Sequence, residues 1–150
     1  AKVEESLARV FHSQTFADRV KELELPLEQI IVIGSGILDQ LGIRRAEDVD
    51  IAASPELIKK LSKYNGDWTK KLDGNQRPYF VKTDGSAELW DGWEFDDRVV
   101  GYDDLLRHSV VYDDVRFVNL EFLQRWKNWR GREKDIRDVE LIDEWRAKNE

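Results

Sequence analysis

Hydrophobic positions change period several times along the chain, and each change predicts an element. Val3, Leu7, Val10 and Phe11 recur at helical spacing, and Phe16, Val20 and Leu23 continue a similar face. This predicts one or two amphipathic helices ending before Pro26. Residues 29–33 form a continuous β-branched apolar run, the pattern of a strand buried on both faces. Gly34-Ser35-Gly36 ends that run, and 37–41 has the pattern of a short helix closed by Gly42. A second strand is expected over 48–52. Ser54 as N-cap, Pro55 at the first helical position and Glu56 in the first turn then predict a helix over 55–64.

Residues 78–83 and 86–90 alternate as a hairpin, with Asp84-Gly85 as a type I′ turn signal. A short helix is expected around 102–107, then a hairpin of 110–112 with 115–118 turning at Asp113-Asp114. Asn119 can cap a helix over 120–129, and another follows the Gly131 break over 133–148. The order predicts an α/β (α+β) chain: a small mixed β-sheet flanked by helices, with a helical C-terminus. No repeat or linker interrupts the sequence, so residues 1–150 are expected to form a single domain.

Composition narrows the chemistry. Hydrophobic residues are 41% and aromatic residues 11%, enough for a packed core rather than a disordered acidic tail. The absence of Cys excludes a disulfide scaffold, a thiolate metal site and a thiol nucleophile. His12 and His108 lie far apart, without a partner that would make either a catalytic base. No apolar run approaches the ~20 residues that cross a bilayer, which predicts a soluble, cytoplasmic protein with no membrane association. A net charge of −7 disfavours nucleic-acid binding through whole-molecule charge. Locally, however, Arg125, Lys127, Arg130, Arg132, Lys134 and Arg137 crowd into one segment. They form either a solvated helical face or a site for a phosphate-bearing partner.

Two further pieces carry chemistry. On a strand, Asp48 and Asp50 project to one side while Val49 and Ile51 face the other. Such carboxylates repel unless a cation sits between them, and Mg²⁺ commonly takes one or two carboxylates plus substrate phosphates. The alternative is a solvent-facing strand with no metal. Upstream, Gly34 and Ser35 end a buried strand where a helix begins, offering backbone N–H groups and a hydroxyl to an anion. Together they describe a phosphate cradle facing a carboxylate pair.

In these two pieces the sequence resembles the nucleotidyltransferase superfamily that includes DNA polymerase beta. Its signature is Gly-Gly or Gly-Ser after an apolar residue, a short spacer, then Asp-x-Asp or Asp-x-Glu. Residues 123–127 and 130–138 also resemble the Lys and Arg…Lys-Asp-x-x-Asp motifs of bacterial abortive-infection-type nucleotidyltransferases, many of them toxins of toxin–antitoxin pairs. The resemblance spans roughly residues 29–142.

It implies Mg²⁺-dependent transfer of a nucleoside monophosphate from ATP or another NTP to a protein, tRNA or small-molecule acceptor, with an antitoxin as a further partner. By this likeness Asp48 and Asp50 hold the metal, with Glu88 as the third carboxylate. Gly34, Ser35, Lys127, Lys134 and Asp135 bind the nucleotide, and Asp138 sits at the catalytic face, where it or Asp135 orients Lys127. A fold-retaining binding or regulatory protein is the alternative function, and a metal-dependent phosphohydrolase a third.

Other residues keep two readings each. Lys134 and Asp138 are four apart and can form a surface pair. Trp126 and Trp129 favour core packing, whereas Trp90 and Trp93 line a core or pocket or stack a nucleobase. Arg44 and Arg45 belong to a solvated loop or touch substrate.

Overall fold

The computed structural model describes residues 14–63 and 66–150. Val3, Leu7, Val10, Phe11 and His12 lie outside the described residues, as does Tyr64 at the end of the expected 55–64 helix.

Helix α1 (Phe16–Lys21) starts at a reciprocal capping box between Thr15 and Asp18 and buries Phe16, Ala17 and Val20. Strand β1 (Ile30–Ile33) is buried at every position, as its unbroken apolar run requires. Helix α2 (Gly36–Gln40) follows at once, then β2 (Val49–Ala53) and α3 (Pro55–Lys63). Ser54 starts α3 by accepting from the Leu57 amide at 3.2 Å. Next come β3 (Trp68–Leu72), β4 (Pro78–Lys82), β5 (Ala87–Trp90), β6 (Gly92–Phe95) and β7 (Arg98–Gly101). The chain continues through α4 (Tyr102–Leu106), β8 (Ser109–Tyr112), β9 (Val115–Val118), α5 (Leu120–Arg130) and α6 (Glu133–Asn149).

The architecture is mixed α+β, with a seven-stranded sheet in the order β3-β4-β5-β2-β1-β9-β8 and a separate β6-β7 hairpin. The sheet is mixed: β1 runs antiparallel to β2 but parallel to β9, and β2 runs parallel to β5. Helices α1 and α2 cover one side of its centre, where Phe16 meets Phe117 with ring centroids 6.1 Å apart. Gly36 makes this packing possible. A Cβ there would stand 2.5 Å from Val32 Cγ1 and 2.6 Å from Phe16 Cε1. Among the described residues no helix is long and apolar enough to cross a membrane.

Several expectations change. The sheet is larger than the small one predicted, because β3 extends its edge; Lys70 and Lys71 interrupt any apolar alternation there. The β6-β7 hairpin was likewise not foreseen, although Asp96-Asp97 turns it with both residues at positive φ, as Asp113-Asp114 turns β8 into β9. At Asp84-Gly85 only the glycine has positive φ, and its amide donates to the Lys82 carbonyl at 2.8 Å. That geometry is not a type I′ turn, which needs both central residues at positive φ. Asp48 precedes β2 instead of opening it. Asn119 and Gly131 behave as expected: the Asn119 side chain accepts from the Phe122 amide at 2.8 Å, and Gly131 ends α5 at φ +67°.

Replacing Gly36 with Ala forces a methyl group against Val32 and the Phe16 ring. We expect a loss of about 1–3 kcal/mol by urea unfolding. Unchanged stability would show that α2 can move away from β1 at no cost.

Candidate functional site

The register places carboxylates in a row. Ile33 pairs with Asp50 across β1-β2, and Asp50 pairs with Glu88 across β2-β5. Paired positions share a face, so Asp50 and Glu88 stand side by side while Val49, Ile51, Ala87 and Leu89 are buried. Ala52 pairs with Trp90 and extends the row. Asp48, two residues before Asp50, is exposed beside the same row. Gly34, at φ +70°, brings the loop after β1 onto these carboxylates: a Cβ there would lie 3.3 Å from Asp50 Oδ2. Burial, then the charges of Glu88 and Asp48, push the Asp50 carboxyl up to about 6, and no hydrogen bond offsets them.

A second cluster faces this row from the C-terminal helices. Lys127 of α5 and Asp135 and Asp138 of α6 are buried. Lys127 Nζ lies 2.8 Å from Asp138 Oδ2 and 3.5 Å from Asp135 Oδ1. Arg44 holds Asp138 in a two-point grip, with Nε–Oδ1 and Nη2–Oδ2 both 2.7 Å. Arg132 closes on Asp135 at 2.7 Å. Three cations against two carboxylates leave this cluster one positive charge in excess.

Ser35 Oγ accepts from Lys127 Nζ at 3.1 Å and from Arg44 Nη2 at 3.0 Å. Two donors fill its acceptor capacity, so its own proton is directed away from the cations. The hydroxyl does not cap helix α2, which it precedes. Burial works to raise the Asp138 pKa, but the hydrogen bonds from Arg44 and Lys127 outweigh it, and the net shift is downward.

Between the two walls lies a cleft of about 1060 Å³. Its sheet side carries Asp48, Asp50 and Glu88; its helical side carries Lys127, Arg130, Arg132, Lys134 and Arg137. Trp90, Trp93, Trp126 and Trp129 complete the lining. The Trp126 indole donates to the Glu94 carbonyl at 2.7 Å and stacks on Trp93 at 4.5 Å, joining α5 to the β6-β7 hairpin.

Most residues singled out from sequence converge here, with differences. Gly34, Ser35, Asp48, Asp50, Glu88, Lys127, Lys134 and Asp138 all line the cleft. Asp135 does not. It is fully buried and anchors Lys127 and Arg132, so direct nucleotide contact is not its place. The surface pair between Lys134 and Asp138 is also absent: Lys134 is exposed, and Asp138 is engaged by Arg44 and Lys127. Trp126 is half-buried against the core, whereas Trp129 is 38% exposed. His108 packs on Phe122, ring centroids 5.1 Å apart, in a structural setting.

Two arginine contacts emerge from structure alone. Arg44 meets Asp138 across 94 residues of sequence, and no local pattern marks that pairing. Arg77 lies over Trp90 at 5.0 Å and pairs with Asp91 at 2.7 Å. Arg45 stays in the exposed loop.

Among the described residues no group of three His, Cys, Asp or Glu is gathered for a metal ion. The Asp48, Asp50 and Glu88 trio therefore does not form a closed cage. Asp50 with one neighbouring carboxylate nevertheless fits a Mg²⁺ that draws its remaining oxygens from phosphate and water. A cation there would offset both the burial and the repulsion that raise Asp50. Comparison with protein-family models, curated proteins and solved structures found no match.

Two stability effects follow. Asp50 binds its proton more tightly folded than unfolded, so its ionisation costs stability as pH rises from its ordinary 3.8 through about 6. Asp50→Asn should stabilise the protein by up to about 3 kcal/mol at pH 8 and hardly at all near pH 4, as read by urea unfolding. An equal gain at both values would place the repulsion elsewhere.

Asp138 has the opposite sign. Its contribution is present above the ordinary carboxylate range and is lost as pH falls. At pH 7 Asp138→Asn should cost about 2–4 kcal/mol, because it leaves the buried Lys127 with only the longer 3.5 Å contact to Asp135 and frees the Arg44 guanidinium. A loss below ~1 kcal/mol would mean that the pair behaves as a surface contact.

Proposed function

We propose that this chain transfers a nucleoside monophosphate from a Mg²⁺-bound nucleoside triphosphate, ATP or another NTP, to an acceptor hydroxyl. One observation carries the reading: the Asp50 and Glu88 row meets Gly34-Ser35, whose hydroxyl is clamped by Lys127 and Arg44. A row of carboxylates opposite an anion-seeking hydroxyl suits a ligand that is cationic at one point and polyphosphate at the next.

In this reading Asp50, with Asp48 beside it, holds the ion. When bound, the ion supplies charge stabilisation at the phosphoryl oxygens. The acceptor oxygen forms a bond to the α-phosphorus, the bond to pyrophosphate breaks, and the acceptor proton passes to Glu88. Ser35 donates to the departing phosphates, while Arg44 and Lys127 fix its direction and carry the excess positive charge. Asp138 and Asp135 act through those cations as positioning residues. Trp90 and Trp93 bound the cleft beyond the carboxylates.

A non-catalytic binder of phosphorylated ligands is the second reading. It is favoured by the absence of a three-ligand metal group among the described residues.

Incubation with α-labelled NTPs, Mg²⁺ and total cell extract separates the two. The transferase reading expects Mg²⁺-dependent labelling of an acceptor, lost in Asp50→Asn and Glu88→Gln. NTP binding without labelling supports the binder. Ser35→Ala should weaken NTP binding by about 1.5–3 kcal/mol in calorimetry, the value of a hydrogen bond to a charged phosphate. Equal affinities would remove Ser35 from the site.

A further inference from the structure

The seven-stranded sheet ends in β3 on one side and β8 on the other, and the two edges are built differently. Strand β3 carries Lys70 at its centre and Lys71 beside it. Two copies meeting antiparallel there would set like charges opposite one another, a common guard against edge pairing. Strand β8 reads Ser109-Val110-Val111-Tyr112, with no charged residue and no Pro, and Val111 is 48% exposed.

The outer side of β8 also carries unused bonding groups. On its inner side Val110 pairs with Phe117 of β9 and Tyr112 with Val115. The Asn119 amide donates to the His108 carbonyl at 2.7 Å, so His108, Val110 and Tyr112 turn their main-chain groups toward β9. By the alternation of an antiparallel ladder, the N–H and C=O groups of Ser109 and Val111 point away from the sheet. No described strand meets them. The two ends of β8 differ in charge. Arg107 stands just before it, and Asp113 and Asp114 just after; all three are exposed, and none forms an ion pair among the described residues.

We propose that two copies of this chain join antiparallel through β8, about a two-fold axis at Val110. In this register Val110 stands opposite the partner's Val110, and Ser109 opposite the partner's Val111. Each Ser109–Val111 pair exchanges both of its main-chain hydrogen bonds, which satisfies the outward groups of β8. Just beyond the strand, Arg107 comes opposite the partner's Asp113. That match selects a second copy as the occupant. An antiparallel partner must be acidic where β8 is flanked by a cation and basic where it is flanked by carboxylates, and β8 itself meets both demands. An axis at Val111 does not serve. It would ask Asp113, held at φ +49° by its turn, to pair with Ser109 as a strand residue. A four-residue edge falls short of the about 1,200 Å² that stable interfaces bury, so the dimer is weak and forms with rising concentration.

The test is sedimentation of the full chain from about 1 to about 300 μM, where mass action should carry it from monomer toward dimer. Val111→Lys puts a charge on the β8 edge and should weaken association about tenfold, and Arg107→Glu about threefold, since both set like charges or unpaired ones across the contact. Thr69→Lys on the β3 edge should leave association at the parental value. Thermal melts check that these variants fold. Cross-linking supplies a gain of signal, because the chain has no Cys of its own. Val110→Cys should give a disulfide-linked dimer: a non-hydrogen-bonded pair stands about 4.5 Å apart between Cα atoms, inside the roughly 4.4–6.8 Å that a disulfide spans. Val111→Cys, which faces the partner's Ser109, and Thr69→Cys should stay monomeric. A monomer at every concentration, parental association in Val111→Lys, weakened association in Thr69→Lys, or no disulfide in Val110→Cys would each overturn the inference.

Discussion

Asp138 joins three parts of the chain that share no local sequence. It grips the Arg44 guanidinium from the loop before β2, accepts from the Lys127 ammonium of α5, and belongs itself to α6. Both cations then converge on Ser35 at the end of the β1 loop. A buried ammonium without this carboxylate would lose its charge or its place. The placement of Arg44 and Lys127, and through them the direction of the Ser35 hydroxyl, depends on this one carboxylate. Asp135 repeats the device one turn earlier, holding Lys127 and Arg132 together.

Across the cleft the electrostatics reverse. The cluster around Lys127 is satisfied internally and keeps a surplus of one positive charge. On the sheet wall Glu88 accepts from the Trp90 indole at 3.3 Å, but no cation among the described residues pairs with Asp50 or Glu88, and the pairing that aligns them is dictated by burial of Ile51 and Leu89 on the other face. A one-residue slip of β2 would turn the carboxylates into the core, so hydrophobic register is what holds like charges together. The fold thereby holds a buried carboxylate beside two further acidic groups, and burial together with their charges raises its affinity for a proton.

How much of this was legible in the sequence depends on the range of the interaction. The buried β1 run, the Ser54 and Asn119 caps and the Gly131 break act over a few residues, and the periodicity marks them. The juxtaposition of Gly34-Ser35 with Asp50 was legible because a short connection joins two paired strands. Strand β3 was not: Lys70 and Lys71 sit on a solvent-facing edge where no burial pattern is required. The pairing of Arg44 with Asp138 was invisible for another reason. Its partner is distant in sequence, and a loop arginine carries no mark of the carboxylate it will meet. Asp135 and Lys134 are neighbours of opposite fate, one fully buried and one exposed. Only the docking of α6 on α5 decides which of them faces the protein.

The 94-residue span between Arg44 and Asp138 also has a kinetic side. Loops of that length close late in folding, after local helices and hairpins have formed. On the ribosome the β1 loop and the carboxylate row emerge well before α5 and α6, so the Ser35 hydroxyl lacks its settled guides until the last described helix has been made and docked. A nascent or partially unfolded chain would therefore carry its acidic wall without its basic one, and the two-walled cleft would appear only with the finished fold.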